Sequence, residues 1–238
     1  MDQSGTSSLL KDAVRDLATG VASALRSGGH GQVSGDAPAL AAADGLAPAA
    51  VRVLGADFLL PHTLLGTRPT PTELTLFRQA VEAYPPRADS APAVLWSHWA
   101  MTRTLSRLTP PGPGSTTDSE TTTAPEPGAD WLDAADWRAL THQLAVLAPL
   151  AVPGEENAVS RAARGRPVDV ARGFVRAVRR RDWTQAAGAG RWLTVIEGVP
   201  DTLGLDAGLD FVELMAGGDP QIDLQVRAAR LMLLGALV

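Results

Sequence analysis

The spacing of apolar residues is the feature that most restricts the fold of this 238-residue chain. Large apolar side chains recur at intervals of three and four residues through most of the sequence, as they do along one face of an α-helix. Strict alternation of apolar and polar residues over five or more positions, which is typical of a half-buried strand, is hard to find. We therefore predict an all-α fold, an irregular multi-helix bundle of roughly eight or nine helices.

The first half of the chain divides into four segments by composition. Residues 1–26 are predicted to form an amphipathic helix, and the Gly-, Ala- and Ser-rich residues 27–45 to form a flexible linker. Residues 46–108 are predicted to form three helices, the second of which starts with a capping box at Thr70-Pro71-Thr72-Glu73. The Pro-, Ser- and Thr-rich residues 109–130 hold no large apolar cluster, and we expect them to be a disordered linker or insertion.

The second half, residues 131–238, is predicted to be a C-terminal helical segment that packs with residues 46–108 as one domain. Two of its helices are joined at Asp182, which is a good N-cap residue, so they should form an antiparallel hairpin. The last helix is apolar on nearly every side at its end. A helix of that kind is buried in its own domain or in an oligomer contact, and we expect a homo-oligomer formed through the terminal helices.

Composition excludes several kinds of chemistry. The chain has no cysteine, which removes disulfides, thiolate nucleophiles and cysteine-based metal sites. A net charge of −5 argues against nucleic acid as a partner, because the one dense basic cluster, at Arg176 and Arg179 to Arg181, is interpreted first as the solvated end of a helix. Lys11 is the only lysine beside twenty arginines, a composition typical of a high-GC bacterial genome.

Two stretches of the sequence bear on targeting and membrane insertion. The first residues lack the basic and apolar regions of a secretory signal. The late apolar run at residues 231–238 is far shorter than the ~20 residues needed to span a bilayer. We therefore expect a cytoplasmic protein with no membrane span.

A candidate catalytic site is suggested by two polar residues on apolar helix faces. Asp57 lies in the middle of the apolar arc of a helix predicted over residues 47–60, and His98 lies in that of a helix over 92–108. Three sequential helices with short connections would bring the two residues to similar heights, so we predict that they face each other. An aspartate that orients a histidine can serve as a general base. His62, after a helix-ending Pro61, would lie at the mouth of the same space, with Arg68 on the loop beyond as a substrate-binding residue.

Each of these residues also has a structural interpretation. Asp57 and His98 can be a buried pair that satisfies its own polar atoms, and we place this alternative slightly ahead of catalysis. Trp96 and Trp99 could bind substrate by lining an apolar pocket, but tryptophans are more often core or interface anchors. No histidines have the spacing of metal ligands, and the glycine-rich stretches do not follow strands, so we predict neither a metal nor a cofactor.

Two functions remain open from the sequence. The first is a helical interaction or accessory protein, which could be regulatory, and whose N-terminal helix and basic-ended hairpin present surfaces to another protein. The alternative is a cofactor-independent enzyme or ligand-binding protein of bacterial specialised metabolism. It would use Asp57, His62 and His98 on a small apolar molecule in a tryptophan-lined pocket.

Overall fold

The computed structural model describes residues 3–28, 45–109 and 125–235, with side chains from Gly5 onward. Within these ranges the chain forms α-helices and short 3₁₀-helices and no strand, which confirms the predicted all-α, multi-helix fold. Somewhat more helices are present than predicted, because single predicted helices are divided into shorter ones. Most of the predicted linker at 27–45 and of the predicted disordered segment at 109–130 lies outside the described residues.

The contacts between residues divide the chain into two compact units, Met1–Pro127 and Gly128–Val238, which we call the N-terminal and C-terminal units. The prediction that residues 46–108 and 131–238 pack as one domain stays a prediction. In the part of the chain that the structure describes, no helix combines the length and the apolar character that crossing a membrane requires.

The N-terminal unit contains five described α-helices. Helix α1 packs against α2 and α3, and the side chains that it buries include Val14, Leu17, Val21 and Leu25 of the predicted amphipathic stripe. The helices are α1 (Gln3–Arg26), α2 (Leu46–Leu54), α3 (Leu60–Leu65), α4 (Pro71–Ala83) and α5 (Pro92–Leu108), with a 3₁₀-helix (Gly55–Leu59) between α2 and α3.

The helix predicted over residues 47–60 is broken at Gly55. This residue has φ 67°, a left-handed value that glycine adopts at little cost, and it ends α2 and starts the 3₁₀-helix. Asp57 therefore lies on a 3₁₀ turn. Pro61 does not end a helix as predicted but is the second residue of α3, where its missing N–H costs no hydrogen bond.

The predicted capping box at the start of α4 is confirmed. The hydroxyl of Thr70 accepts a hydrogen bond from the backbone N–H of Glu73, and the backbone N–H of Thr70 donates to the Glu73 carboxylate. Further along the helix, Phe77 stacks on Phe58 with ring centroids 6.1 Å apart. Helix α4 thus packs against the 3₁₀-helix that carries Asp57.

The C-terminal unit is arranged around a central helix, α10, which packs against α7, α9, α11 and α12. Residues Ala186 to Leu193 of this helix are all buried. The α-helices of the unit are α6 (Asp130–Asp133), α7 (Trp137–Val146), α8 (Ala158–Arg164), α9 (Pro167–Arg180), α10 (Trp183–Leu193), α11 (Leu205–Met215) and α12 (Pro220–Leu233).

Small residues and one buried arginine allow α10 to occupy the centre. A Cβ atom at Gly188 would lie 2.7 Å from the carbonyl oxygen of Ala145, so only glycine permits the observed approach of α7. The fully buried Arg191 donates from Nε to the carbonyl of Ala151 at 3.1 Å and from Nη1 to Gln225 Oε1 at 2.9 Å. The Asp182 side chain accepts from the Gln185 N–H at 3.1 Å and caps the helix as predicted.

Candidate functional site

His62 lies beside the buried carboxylate of Glu73, a contact that was not predicted from the sequence. Its Nδ1 lies 2.9 Å from Thr67 Oγ1, and its Nε2 lies 3.4 Å from Glu73 Oε2. The same carboxylate oxygen accepts hydrogen bonds from the backbone N–H and the hydroxyl of Thr70, at 2.7 and 2.8 Å. These contacts join α3, the loop after it and the start of α4.

The electrostatics of this cluster favour an ionised glutamate. Burial alone would raise the pKa of Glu73, but hydrogen bonds from His62 and from Thr70 outweigh it and lower the pKa to about 2. A carboxylate of this kind stays charged through the ordinary pH range. The cluster therefore fixes the loop between α3 and α4 in place. Arg68, which lies on that loop, is exposed.

His98 has a cationic neighbour. Arg52 on α2 donates from Nη1 to Ser97 Oγ at 3.0 Å, beside His98 in the sequence. Burial, followed by the charge of Arg52, lowers the pKa of His98 from its ordinary value. A lowered pKa favours the neutral form of the ring, and the role of His98 as a general base stays a prediction.

The structure places the three predicted catalytic residues in different surroundings. Asp57 is buried on its 3₁₀ turn, whereas His98 is partly exposed and its buried Nδ1 has no hydrogen-bond partner among the described residues. His62 contacts Glu73 and Thr67 instead. A catalytic role for Asp57, His62 and His98 stays a prediction.

The two tryptophans of α5 are packed as core residues. Trp96 and Trp99 are both buried and contact each other edge to face, with ring centroids 5.1 Å apart. The guanidinium of Arg103 lies 5.4 Å from the centroid of the Trp99 ring. This packing agrees with the structural interpretation of both residues, and their role as substrate-binding residues stays a prediction.

The C-terminal unit contains a groove along α9, which we call the arginine groove. Its volume is about 610 Å³. One wall is α9, and the other is formed by the start of α7 and the segment at residues 200–203. Its apolar lining is formed by Trp137, Val168, Ala171, Val175, Pro200 and Leu203, its cationic lining by Arg172, Arg176, Arg179 and Arg180, and Thr202 completes it.

No carboxylate is among the residues that line the arginine groove, although the exposed Asp201 lies in the segment that forms its second wall. Arg172 lies 3.6 Å from Asp169, but that aspartate is held more closely by Arg166, at 2.7 Å. Within the described ranges, the exposed Arg179 and Arg180 make no ion pair. The groove therefore presents positive charge beside an apolar floor, in a chain whose net charge is negative.

Three arginines lie near the Trp137 ring, and two of them, Arg172 and Arg176, line the groove. The guanidinium carbons of Arg138, Arg172 and Arg176 lie 4.5, 5.5 and 5.8 Å from the centroid of that ring. Contacts of this length are attractive and hold the planar guanidinium groups near the aromatic face. Their remaining N–H donors suit carboxylate or phosphate oxygens, which guanidinium groups bind in a two-pronged geometry.

The sequence contained part of the signal for this groove. Arg172, Arg176 and Arg180 recur every four residues, which places them on one face of a helix. From the sequence, only Arg176 and Arg179 to Arg181 were recognised as a cluster, and they were interpreted as the solvated end of a helix. The opposing wall at residues 200–203 is distant in sequence, so the concave shape depends on tertiary packing.

The fold and the groove define an all-α protein built from two compact helical units, one of which carries a basic, partly apolar groove. Comparison with family models, with curated proteins and with solved structures finds no match to this chain. The function is therefore inferred from the geometry of the chain itself.

Proposed function

We propose that this chain is an interaction or accessory protein and that the arginine groove is its docking surface for another protein. The observation that carries the proposal is the set of four arginines beside an apolar floor with no carboxylate in the lining. Clustered cations repel one another, and an anionic partner relieves that repulsion. The basic-ended hairpin predicted from the sequence contributes α9 to this surface.

The N-terminal helix, the other surface expected from the sequence, is a weaker candidate. Val14, Leu17 and Val21 of its apolar stripe are buried within the N-terminal unit. A stripe that is already buried is not available to a partner without unpacking the unit. This supports the hairpin as the docking surface.

The groove suits an acidic protein segment that also carries apolar side chains. From Val168 to Arg180, α9 extends about 18 Å, which is the length of roughly three helical turns. A small monoanion would engage only one or two of the four guanidinium groups. A flat membrane surface would not enter a concave groove. An acidic amphipathic helix can contact both the charges and the apolar floor.

A peptide titration tests this function. The probe is a synthetic helix of about four turns, with leucine on one face and glutamate on both flanks, and it is compared with a scrambled peptide of the same composition. Binding to the full chain should be salt-dependent and stronger for the amphipathic peptide. R176E/R180E should weaken it roughly tenfold or more, because two attractive pairs become repulsive.

The matched control is R78E/R87E, which reverses two exposed arginines of the N-terminal unit. This variant changes the net charge by the same amount and should bind the peptide like the unmodified chain. Equal weakening by both double variants would show that only net charge matters, and the docking surface would then be rejected. The docking surface would also be rejected if neither peptide bound to the chain at low salt.

The cytoplasmic location, the bacterial origin and a place in specialised metabolism remain proposals from the sequence. The alternative function, an enzyme or ligand-binding protein that uses Asp57, His62 and His98, also stays a prediction. The interaction role is preferred because the arginine groove is an open surface that nothing in its lining neutralises.

A further inference from the structure

Helix α11 carries an exposed apolar stripe. Phe211, Leu214 and Met215 are exposed by 44, 77 and 42%. On a helix, these residues lie together on one side, opposite the buried Leu209 and Val212. An apolar stripe that a chain leaves exposed is a common mark of a contact surface.

Carboxylates flank this stripe. Asp206 and Asp210 are exposed one turn apart along its edge, and Glu213 continues the row. Arg230 pairs with Asp210 and Glu213, and Arg227 pairs with Glu213. The net charge of α11 and α12 together is still negative, because residues 205–233 contain five carboxylates and two arginines.

The arginine groove and this face of α11 are complementary in charge, apolar character and length. The groove places cations beside an apolar floor, and α11 places carboxylates beside an apolar stripe. Arg172 to Arg180 extends about 12 Å along α9, and Asp206 to Met215 extends about 14 Å along α11. The chain therefore carries a helix of the kind that its own groove suits.

We propose that the protein self-associates, with the exposed face of α11 from one copy seated in the arginine groove of a second copy. Each copy then offers one groove and one α11 helix. The contact is head-to-tail unless a twofold axis lets each copy place its helix in the groove of the other. This inference rests on the proposed function, since it uses the same groove. Self-association and binding of another acidic partner then compete for that groove.

The test is sedimentation analysis of the full chain over a range of protein and salt concentrations. The weight-average mass should rise above the monomer mass of 24.8 kDa as the protein concentration increases, and it should fall as salt is added. A groove variant, R176E/R180E, and a helix variant, D206K/L214K, should each remain monomeric. The substituted residues are not buried, and circular dichroism checks that both variants fold.

Mixing the two variants gives the sharpest result. The groove variant keeps an intact α11, and the helix variant keeps an intact groove, so the mixture should form pairs although neither variant associates alone. R78E/R87E, with the same charge change in the N-terminal unit, should associate like the unmodified chain.

Three results would overturn the inference: an unmodified chain that stays monomeric at ~0.5 mM, association that survives in either variant, or a mixture that forms no pairs. If the chain is monomeric but still binds the acidic peptide at the groove, the self-association is rejected and the proposed function stands. If neither the peptide nor a second copy binds, both are rejected.

Discussion

At the scale of single residues, the Glu73 carboxylate shows how one buried charge can organise a loop. Hydrogen bonds from Thr70 and the contact with His62 surround the carboxylate, and they offset the cost of burying its charge. The charge is therefore part of the folded structure, and the stability that it contributes depends on pH.

The pH dependence has a defined sign. The pKa of Glu73 is lowered from 4.5 to about 2 on folding, so its contribution to stability is fully present above the unfolded pKa and is lost as the pH falls from about 4.5 to 2. In E73Q this part of the acid destabilisation should disappear. At pH 7 the variant should be less stable by about 1 to 2 kcal/mol, because it loses charge-assisted hydrogen bonds.

Urea unfolding at pH 7 and at several acidic pH values measures both effects. E82Q, which removes an exposed carboxylate from the same helix, is the control and should follow the unmodified chain. An E73Q variant whose stability falls as steeply as that of the unmodified chain between pH 4.5 and 2 would contradict the role given to Glu73.

The same cluster marks what a sequence can and cannot predict about individual residues. The capping box was predictable because Thr70 and Glu73 are three positions apart and the motif is local. The partner of His62 was not, because the contact depends on how the loop folds back over α3. His98 was predicted to lie in the middle of an apolar arc, but it is only partly buried, whereas Trp96 and Trp99 of the same helix are buried.

At the scale of elements, close packing determines the position of α10. Gly188 lies against the backbone of Ala145, and its missing Cβ is what permits the contact. In an exposed helix, replacing glycine with alanine stabilises by up to about 1 kcal/mol. Here the added Cβ would meet backbone atoms that cannot move without shifting α7.

We therefore expect G188A to destabilise the protein by about 1 to 3 kcal/mol, in spite of the better helix propensity of alanine. The matched control is G5A in α1, where a Cβ would meet nothing within 4 Å and the change should be neutral or stabilising. Thermal unfolding of both variants measures the difference. A G188A variant as stable as the unmodified chain would show that α7 and α10 are not in close contact.

The element bounds show where periodicity is a sufficient guide. Helix α9 ends just before Asp182, where the junction of the hairpin was predicted, because an N-cap aspartate is a local signal. The predicted helix over residues 47–60 was wrong in its continuity, because the apolar pattern persists through Gly55 although the backbone changes direction there. Periodicity records which side chains are buried and not whether the backbone between them is straight.

At the scale of the whole molecule, two compact units are described, and the C-terminal one carries the groove. The helical class was predictable from the spacing of apolar residues alone. The groove was not, because its walls come from α9 and from residues 200–203, which only the tertiary fold brings together. The second wall makes this surface concave, and that shape supports a binding role for the arginines.

The central claim, that the arginine groove is the docking surface, is tested most directly by an amide-resolved NMR titration of the full chain with the acidic amphipathic peptide. The account predicts that the perturbed amides cluster in α9, at the start of α7 and at residues 200–203. It also predicts that R176E/R180E removes these perturbations. Perturbations that cluster instead around Asp57 and His98 in the N-terminal unit, or that persist in the double variant, would contradict it.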